Sequence, residues 1–227
     1  MNDLLHSFNI VLHVGAGLAA LAMGLWQLAV PKGGPSHRRR GRWLLALAGT
    51  SVASAGLGAV LFRPRPDLLA VCLLVAYQLY SGWRCLRLPR GGRAPADWGP
   101  AVLLLASAIA MLAAQDHFWP APVVHSVGAA MVFTAGYDLL RTVFPLAWRQ
   151  FLNPAEHAWR LCAMIGALAS VAAAQQLPAS TAAQSSLGVS LTFSVLAAGL
   201  AWQAARKALG VHPSAALKAR LNSDSEL

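Results

Sequence analysis

The stretch FNIVLHVGAGLAALAMGLWQLAV, from Phe8 to Val30, decides the fold of this chain. It contains 23 residues without a formal charge, and about 20 helical residues rising 1.5 Å each cross the roughly 30 Å hydrocarbon core of a bilayer. A cleaved signal peptide fits less well, because the segment before the stretch contains Asp3 and no Lys or Arg, and because the apolar part exceeds the roughly 7–15 residues expected. We therefore predict a transmembrane helix here.

The composition extends this interpretation to the whole chain. Of the 227 residues, 57% are hydrophobic and only 11% are charged, whereas about a quarter of the residues in soluble proteins are charged. The net charge of +10 would suggest nucleic acid in a soluble protein, but here the charges stand between apolar runs. They are better explained by membrane topology, and no nucleic-acid partner is expected.

Apolar runs separated by Pro- and Gly-containing loops predict an all-α, polytopic membrane helix bundle of about seven spans. The predicted spans are residues 8–30, 42–62, 67–86, 99–115, 121–144, 156–176 and 186–208, followed by a short polar tail over 213–227. Small residues recur at helix-packing spacing, as in Ala16, Ala20 and Gly24, and indicate close contact between helices.

The distribution of basic residues predicts the orientation, because cytoplasmic loops collect Lys and Arg. With the N-terminus outside and the C-terminus in the cytoplasm, 16 of the 18 basic residues fall on the inner side, and only Arg63 and Arg65 fall outside. Merging or splitting one span would break this alternation. The cytoplasmic face of the protein is therefore expected to contact anionic lipid headgroups.

Ionisable residues inside spans are costly in a membrane and are functional candidates by default. They fall into two layers. The outer layer contains His13 and His125, each roughly 6–8 Å below the outer boundary. The inner layer contains His37, Arg84, Asp138, Arg141, His157 and Arg160.

These residue types suggest a cofactor, because imidazole ligates haem iron and transition-metal ions between bundle helices without a short sequence motif. His13 and His125 are the expected outer ligands of a haem b or a metal ion, and His37 and His157 are the corresponding inner pair. Ordinary structural roles compete with this interpretation. A histidine near the interface also bonds water, headgroups or a carbonyl, and His37 beside its arginines also suits anionic lipid.

Local ion pairing is the structural alternative for the other inner residues. Asp138 and Arg141 are three residues apart and predict an intrahelical pair. Glu156, His157 and Arg160 predict a cluster at a helix N-terminus.

Three groups of residues form a recognisable pattern: His13-Val14-Gly15-Ala16-Gly17, Pro31 to Gly34 with His37 to Arg42, and Ser81-Gly82-Trp83-Arg84. In this pattern the chain resembles a bacterial multi-pass membrane family known as domain of unknown function 2306. The resemblance covers most of the chain and is strongest over the first 90 residues. Further along the chain, Asp138 and the pair His157 and Met164 match the family's pattern more loosely. The spacing between this His and this Met is longer than the spacing in that pattern. The resemblance implies a prokaryotic plasma-membrane protein without an established activity, and it singles out His13, His37, Arg84, Asp138 and His157.

The leading hypothesis is thus a small redox or metal-handling membrane protein. Under it, His37, Asp138, His157 and Arg160 form a second site or bind the anionic edge of a quinone, a lipid or a haem propionate. A cofactor-free transporter or lipid-handling protein is the alternative, and a membrane sensor or scaffold is a third. Whether the protein is an enzyme, forms a homo-oligomer or has a redox partner stays open.

Overall fold

A computed structural model describes residues 2–62, 66–87, 97–113, 121–176 and 199 of the chain. Within them, six α-helices are present and no strand, which confirms the all-α prediction for this part. The helices are α1 (Asn2–Ala29), α2 (Pro35–Leu57), α3 (Pro66–Cys85), α4 (Trp98–Ala113), α5 (Ala121–Leu140) and α6 (Leu146–Gln176). A π-helical segment, Gly58–Phe62, continues α2, and a 3₁₀ turn, Arg141–Val143, follows α5. The predicted seventh span and the tail lie outside the described residues.

Three of the described helical segments are long and apolar enough to cross a membrane: Asp3–Ala29, Pro35–Phe62 and Leu68–Cys85. Their large apolar side chains lie largely on the outside of the protein, as Leu4, Phe8 and Val11 of α1 do at 65–76% exposure. A soluble protein of this size would bury them. The apolar exterior and the buried polar interior described below both fit a membrane protein.

Five of the six described helices begin before the predicted spans, and α5 begins at the predicted residue 121. Helix α1 begins at Asn2, α2 at Pro35 and α6 at Leu146, against predicted starts at 8, 42 and 156. Hydrophobicity marks the part of a helix that lies in lipid, whereas backbone hydrogen bonding continues into polar turns. At α2 the boundary has a local cause, because Pro35 occupies the first turn and Gly33 in the preceding loop has φ +87°.

Helix α3 is the centre of the bundle and contacts α2, α4, α5 and α6. On one side it joins α4 and α5 around Leu104, Met131 and Ala135. On the other side it joins α1, α2 and α6 around Leu44, Met164 and other apolar side chains. The polar residues of α3 therefore lie where both halves of the described bundle meet.

Small residues set the spacing of α1, as expected. Ala20 and Ala48 are fully buried between α1 and α2. A Cβ at Gly17 would lie 3.0 Å from Ser51 Oγ, and one at Gly24 would lie 2.7 Å from Ile165 of α6. The predicted close packing through small side chains is confirmed for α1, since a larger residue at Gly24 has no space.

Candidate functional site

Helices α3, α5 and α6 bring a set of polar side chains together in the interior, which we call the inner polar cluster. Two ion pairs form its centre, and neutral hydrogen-bonding side chains surround them. Its members are Tyr77, Gln78, Ser81, Cys85, Thr134, Tyr137, Asp138, Arg141, Asn153, Glu156 and Arg160.

Asp138 of α5 and Arg160 of α6 form the first ion pair. Arg160 Nη2 donates to Asp138 Oδ1 at 2.6 Å, and both side chains are fully buried. On the other carboxylate oxygen, Oδ2, Asp138 accepts from the Tyr77 hydroxyl and, at 3.2 Å, from Ser81 Oγ. One carboxylate therefore joins three helices, and its charge is balanced by Arg160.

Arg160 is enclosed on its remaining sides by polar and aromatic groups. Its Nη1 donates to Gln78 Oε1 at 3.3 Å, and Gln78 Nε2 donates to Thr134 Oγ1 at 3.2 Å. The guanidinium carbon lies 4.4 Å from the ring centroid of Trp159 and 5.8 Å from that of Tyr77. Such aromatic faces stabilise a desolvated cation.

Arg141 and Glu156 form the second ion pair, through Arg141 Nε and Glu156 Oε1. Glu156 also accepts from the Tyr137 hydroxyl at 2.7 Å and from Cys85 Sγ at 3.4 Å. Arg141 donates in addition to Asn153 Oδ1. The sequence suggested local pairing along single helices, whereas both ion pairs observed here connect different elements.

A third ion pair lies beside this cluster, between the end of α3 and the start of α4. Arg84 Nε donates to Asp97 Oδ1 at 2.6 Å and Nη2 donates to Oδ2 at 3.1 Å. Tyr80 also donates to Asp97 Oδ1, at 3.1 Å. Asp97 is 2% exposed and the Arg84 side chain is 24% exposed, so this pair stands at the edge of the interior.

An open apolar groove of about 200 Å³ runs between α3 and α4. Ligand pockets commonly measure roughly 300–1,000 Å³, so this one takes part of a molecule rather than a whole macrocycle. Tyr77 and Tyr80, one turn apart, line the groove and donate their hydroxyls to the carboxylates of two different ion pairs. The lining residues are Leu73, Ala76, Tyr77, Tyr80, Pro100, Leu103, Leu104 and Ser107.

His13 and His157 make the same kind of hydrogen bond. His13 Nδ1 lies 2.9 Å from the Ser51 carbonyl oxygen of α2, and His157 Nδ1 lies 2.8 Å from the Gly82 carbonyl oxygen of α3. A carbonyl only accepts, so each Nδ1 carries a proton, and in the neutral form of each ring the lone pair is then on Nε2. This is the tautomer of a histidine that ligates a metal through Nε2.

A row of polar side chains lies where α1 contacts α2. Asn9 Nδ2 donates to the Ser54 carbonyl at 3.1 Å, and Ser54 Oγ donates to the Ser51 carbonyl at 2.9 Å. Ser51 Oγ donates in turn to the His13 carbonyl at 3.2 Å. His13 is therefore satisfied by α2, as the structural alternative for this residue requires.

The other histidines predicted as ligands have different outcomes. His37 lies in the first turn of α2, where its carbonyl accepts from Gln27 Nε2 at 2.7 Å and its buried Nδ1 has no hydrogen-bond partner among the described residues. His125 lies in α5, but its side chain is outside the described part, so the His13–His125 pair stays a prediction. Across the described ranges, no three His, Cys, Asp or Glu side chains group as a metal site.

Comparisons of this chain with protein families, with curated proteins and with solved structures each find no match.

Sequence reasoning named four of the charged residues in these ion pairs as site candidates: Arg84, Asp138, Arg141 and Arg160. It missed Asp97, which directly precedes α4, and it treated Glu156 only as part of a helix end. It also missed the polar members of α3. Tyr77, Gln78 and Ser81 interrupt an apolar run and point to neighbouring helices, and this interruption was the available signal.

Proposed function

We propose that this protein is a seven-span plasma-membrane protein, with its N-terminus outside, that binds an amphiphilic small molecule from the bilayer between α3 and α4. This is the lipid- or small-molecule-handling alternative of the sequence analysis. In this proposal the groove takes the apolar part of the ligand, and the inner polar cluster responds to its polar end.

One observation supports the proposal above all others: Tyr77 and Tyr80 each have one side in the groove and a hydroxyl on a buried or nearly buried carboxylate. An amphiphile in the groove would thus contact two tyrosines, one bonded to Asp138 and the other to Asp97. Charged groups inside a membrane protein commonly mark substrate or proton pathways. Competition for either tyrosine hydroxyl would loosen an ion pair that joins helices.

Filling the groove tests this proposal. Ala76 is exposed and lines the groove, so Ala76→Trp should occupy it without disturbing the core. Val102 on α4 is 52% exposed and is not a lining residue, and Val102→Trp is the matched control. Native mass spectrometry of protein released from micelles should show bound amphiphile in the wild type and in the control, and little in Ala76→Trp.

Equal amounts of bound amphiphile in all three proteins would refute the groove as the binding site. The topology has a separate test. Reporter fusions at the two termini should report opposite sides of the membrane, because an odd number of spans separates them. Reporters on the same side would overturn the seven-span arrangement and leave the groove test unaffected.

Haem or metal binding for electron transfer is the second candidate, and the histidine tautomers favour it. His13 and His157 are both held by a carbonyl on Nδ1, which leaves Nε2 free for a ligand. Protein from haem-replete cells should then show a Soret band, or stoichiometric metal, that His13→Ala or His157→Ala removes. Colourless, metal-free protein would refute this candidate.

A further inference from the structure

We infer that the occupant of the α3–α4 groove is an anionic phospholipid of the inner leaflet, with one acyl chain in the groove and its phosphate beside Arg84 and Arg87. This inference rests on the proposed function and specifies its ligand. It follows from the position of the groove, from the residues at one of its ends and from the charge at that end.

The groove has a polar end and an apolar end. Helices α3 and α4 run in opposite directions, so Tyr80 and Pro100 lie at one end and Leu73 and Ser107 at the other. Seven residues of helix separate these ends, or about 10 Å. One leaflet contributes about half of a roughly 30 Å hydrocarbon core, so the groove fits within a single leaflet.

The residues around the polar end are those found at a membrane–water interface. Trp83 lies in the last turn of α3 and is 38% exposed. Trp98 is the first residue of α4 and is 48% exposed. The Arg87 guanidinium carbon lies 4.4 Å from the ring centroid of Trp83. Tryptophan and arginine at a helix end are typical of the headgroup level, so the groove opens where a lipid changes from headgroup to chain.

The charge at this end favours an anion. Arg84 and Arg87 contribute two positive charges against one negative charge on Asp97. Asp97 holds Arg84 Nε and Nη2, while Arg84 Nη1 points to the Arg87 carbonyl at 3.5 Å. The Arg84 guanidinium is therefore fixed in place and partly exposed, as a phosphate-binding group should be.

The volume also matches a lipid chain rather than a cofactor. The lining is apolar apart from Ser107 and the two tyrosines, and the Ser107 hydroxyl donates to the Leu103 carbonyl at 2.8 Å. The described wall thus offers few free polar groups to orient a ring with several substituents. A hydrocarbon chain needs none.

Lipid competition tests this inference. The protein in micelles is equilibrated with equimolar phosphatidylglycerol and phosphatidylcholine that carry the same chains, and native mass spectrometry measures the ratio of the two one-lipid adducts. We expect phosphatidylglycerol adducts to dominate. One arginine near the membrane surface strengthens the binding of anionic lipid by about fivefold. Arg87→Gln should therefore lower the ratio of phosphatidylglycerol to phosphatidylcholine adducts by about that factor.

Arg39→Gln is the matched control, because Arg39 is equally charged and exposed but belongs to α2. It should lower the ratio by less than Arg87→Gln does, because Arg39 attracts anionic lipid only at the surface and does not lie at the groove. Arg84→Gln should lower the ratio as well, but it also removes the ion pair with Asp97. Arg87 is exposed, so Arg87→Gln tests the same inference in a variant that keeps this ion pair.

The outcomes separate this inference from the proposal on which it rests. Suppose that Ala76→Trp removes the adducts, but that both lipids form them equally or that Arg39→Gln and Arg87→Gln change the ratio equally. This result overturns the anionic-lipid inference and leaves the groove as a binding site. Adducts that Ala76→Trp does not affect overturn both.

Discussion

Replacing Asp138 by Asn should destabilise this protein far more than removing any neutral hydrogen bond around it. The variant leaves the Arg160 guanidinium fully buried without its counter-charge, and a guanidinium does not lose its proton. Breaking a buried ion pair by removing one partner costs about 3–5 kcal/mol. That corresponds to roughly two to four orders of magnitude in the unfolding equilibrium.

Tyr77→Phe provides the comparison, because it removes a neutral donor to the same carboxylate. Interhelical hydrogen bonds in membrane bundles average about 0.6 kcal/mol and reach at most about 1.7 kcal/mol. The loss of stability in Asp138→Asn should therefore exceed that in Tyr77→Phe by at least about 1.3 kcal/mol. If hydrogen bonding rather than charge balance dominated, the two variants would be similar.

The assay is reversible unfolding in mixed micelles with increasing SDS, followed by far-ultraviolet circular dichroism. The double variant Asp138→Asn with Arg160→Gln removes both charges and should be more stable than Asp138→Asn alone.

Two results would refute this reasoning. One is a loss below about 1 kcal/mol for Asp138→Asn, which would mean that water or lipid headgroups solvate Arg160. The other is a double variant whose loss equals the sum of the two single losses, which would show that the two charges do not interact.

The other predictions concern helix contacts. Gly24→Ala should destabilise the protein by about 1–3 kcal/mol in the same unfolding assay, because the new Cβ would lie 2.7 Å from Ile165. Ile165→Val should reduce this loss of stability. Gly15→Ala is the control and should leave stability unchanged, because no atom lies within 4 Å of the new Cβ. Asp97→Asn should cost at most about 1.5 kcal/mol, because the partly exposed Arg84 keeps access to water; a loss as large as that of Asp138→Asn would contradict this placement.

The resemblance to domain of unknown function 2306 stays a hypothesis, and so does the His13–His125 pair that the two-layer interpretation predicted. The tautomers of His13 and His157 are new information from the structure, because a ring nitrogen's role depends on the neighbour that it meets. For His13 this neighbour is a carbonyl of α2, 38 residues away in sequence.

The sequence by itself determined the helical class, the three described helices long and apolar enough to cross a membrane, and the close packing of α1, since apolar length and small-residue spacing are local properties of a chain. It also marked Asp138 and Arg160 as candidates, because a charge in an apolar run is conspicuous. Only the tertiary structure decided the partners. Asp138 pairs with Arg160 and Arg141 with Glu156, and the two tyrosines face a groove. Those contacts depend on how the helices are rotated and crossed, and the energies that choose among rotations come from side chains far apart in the sequence.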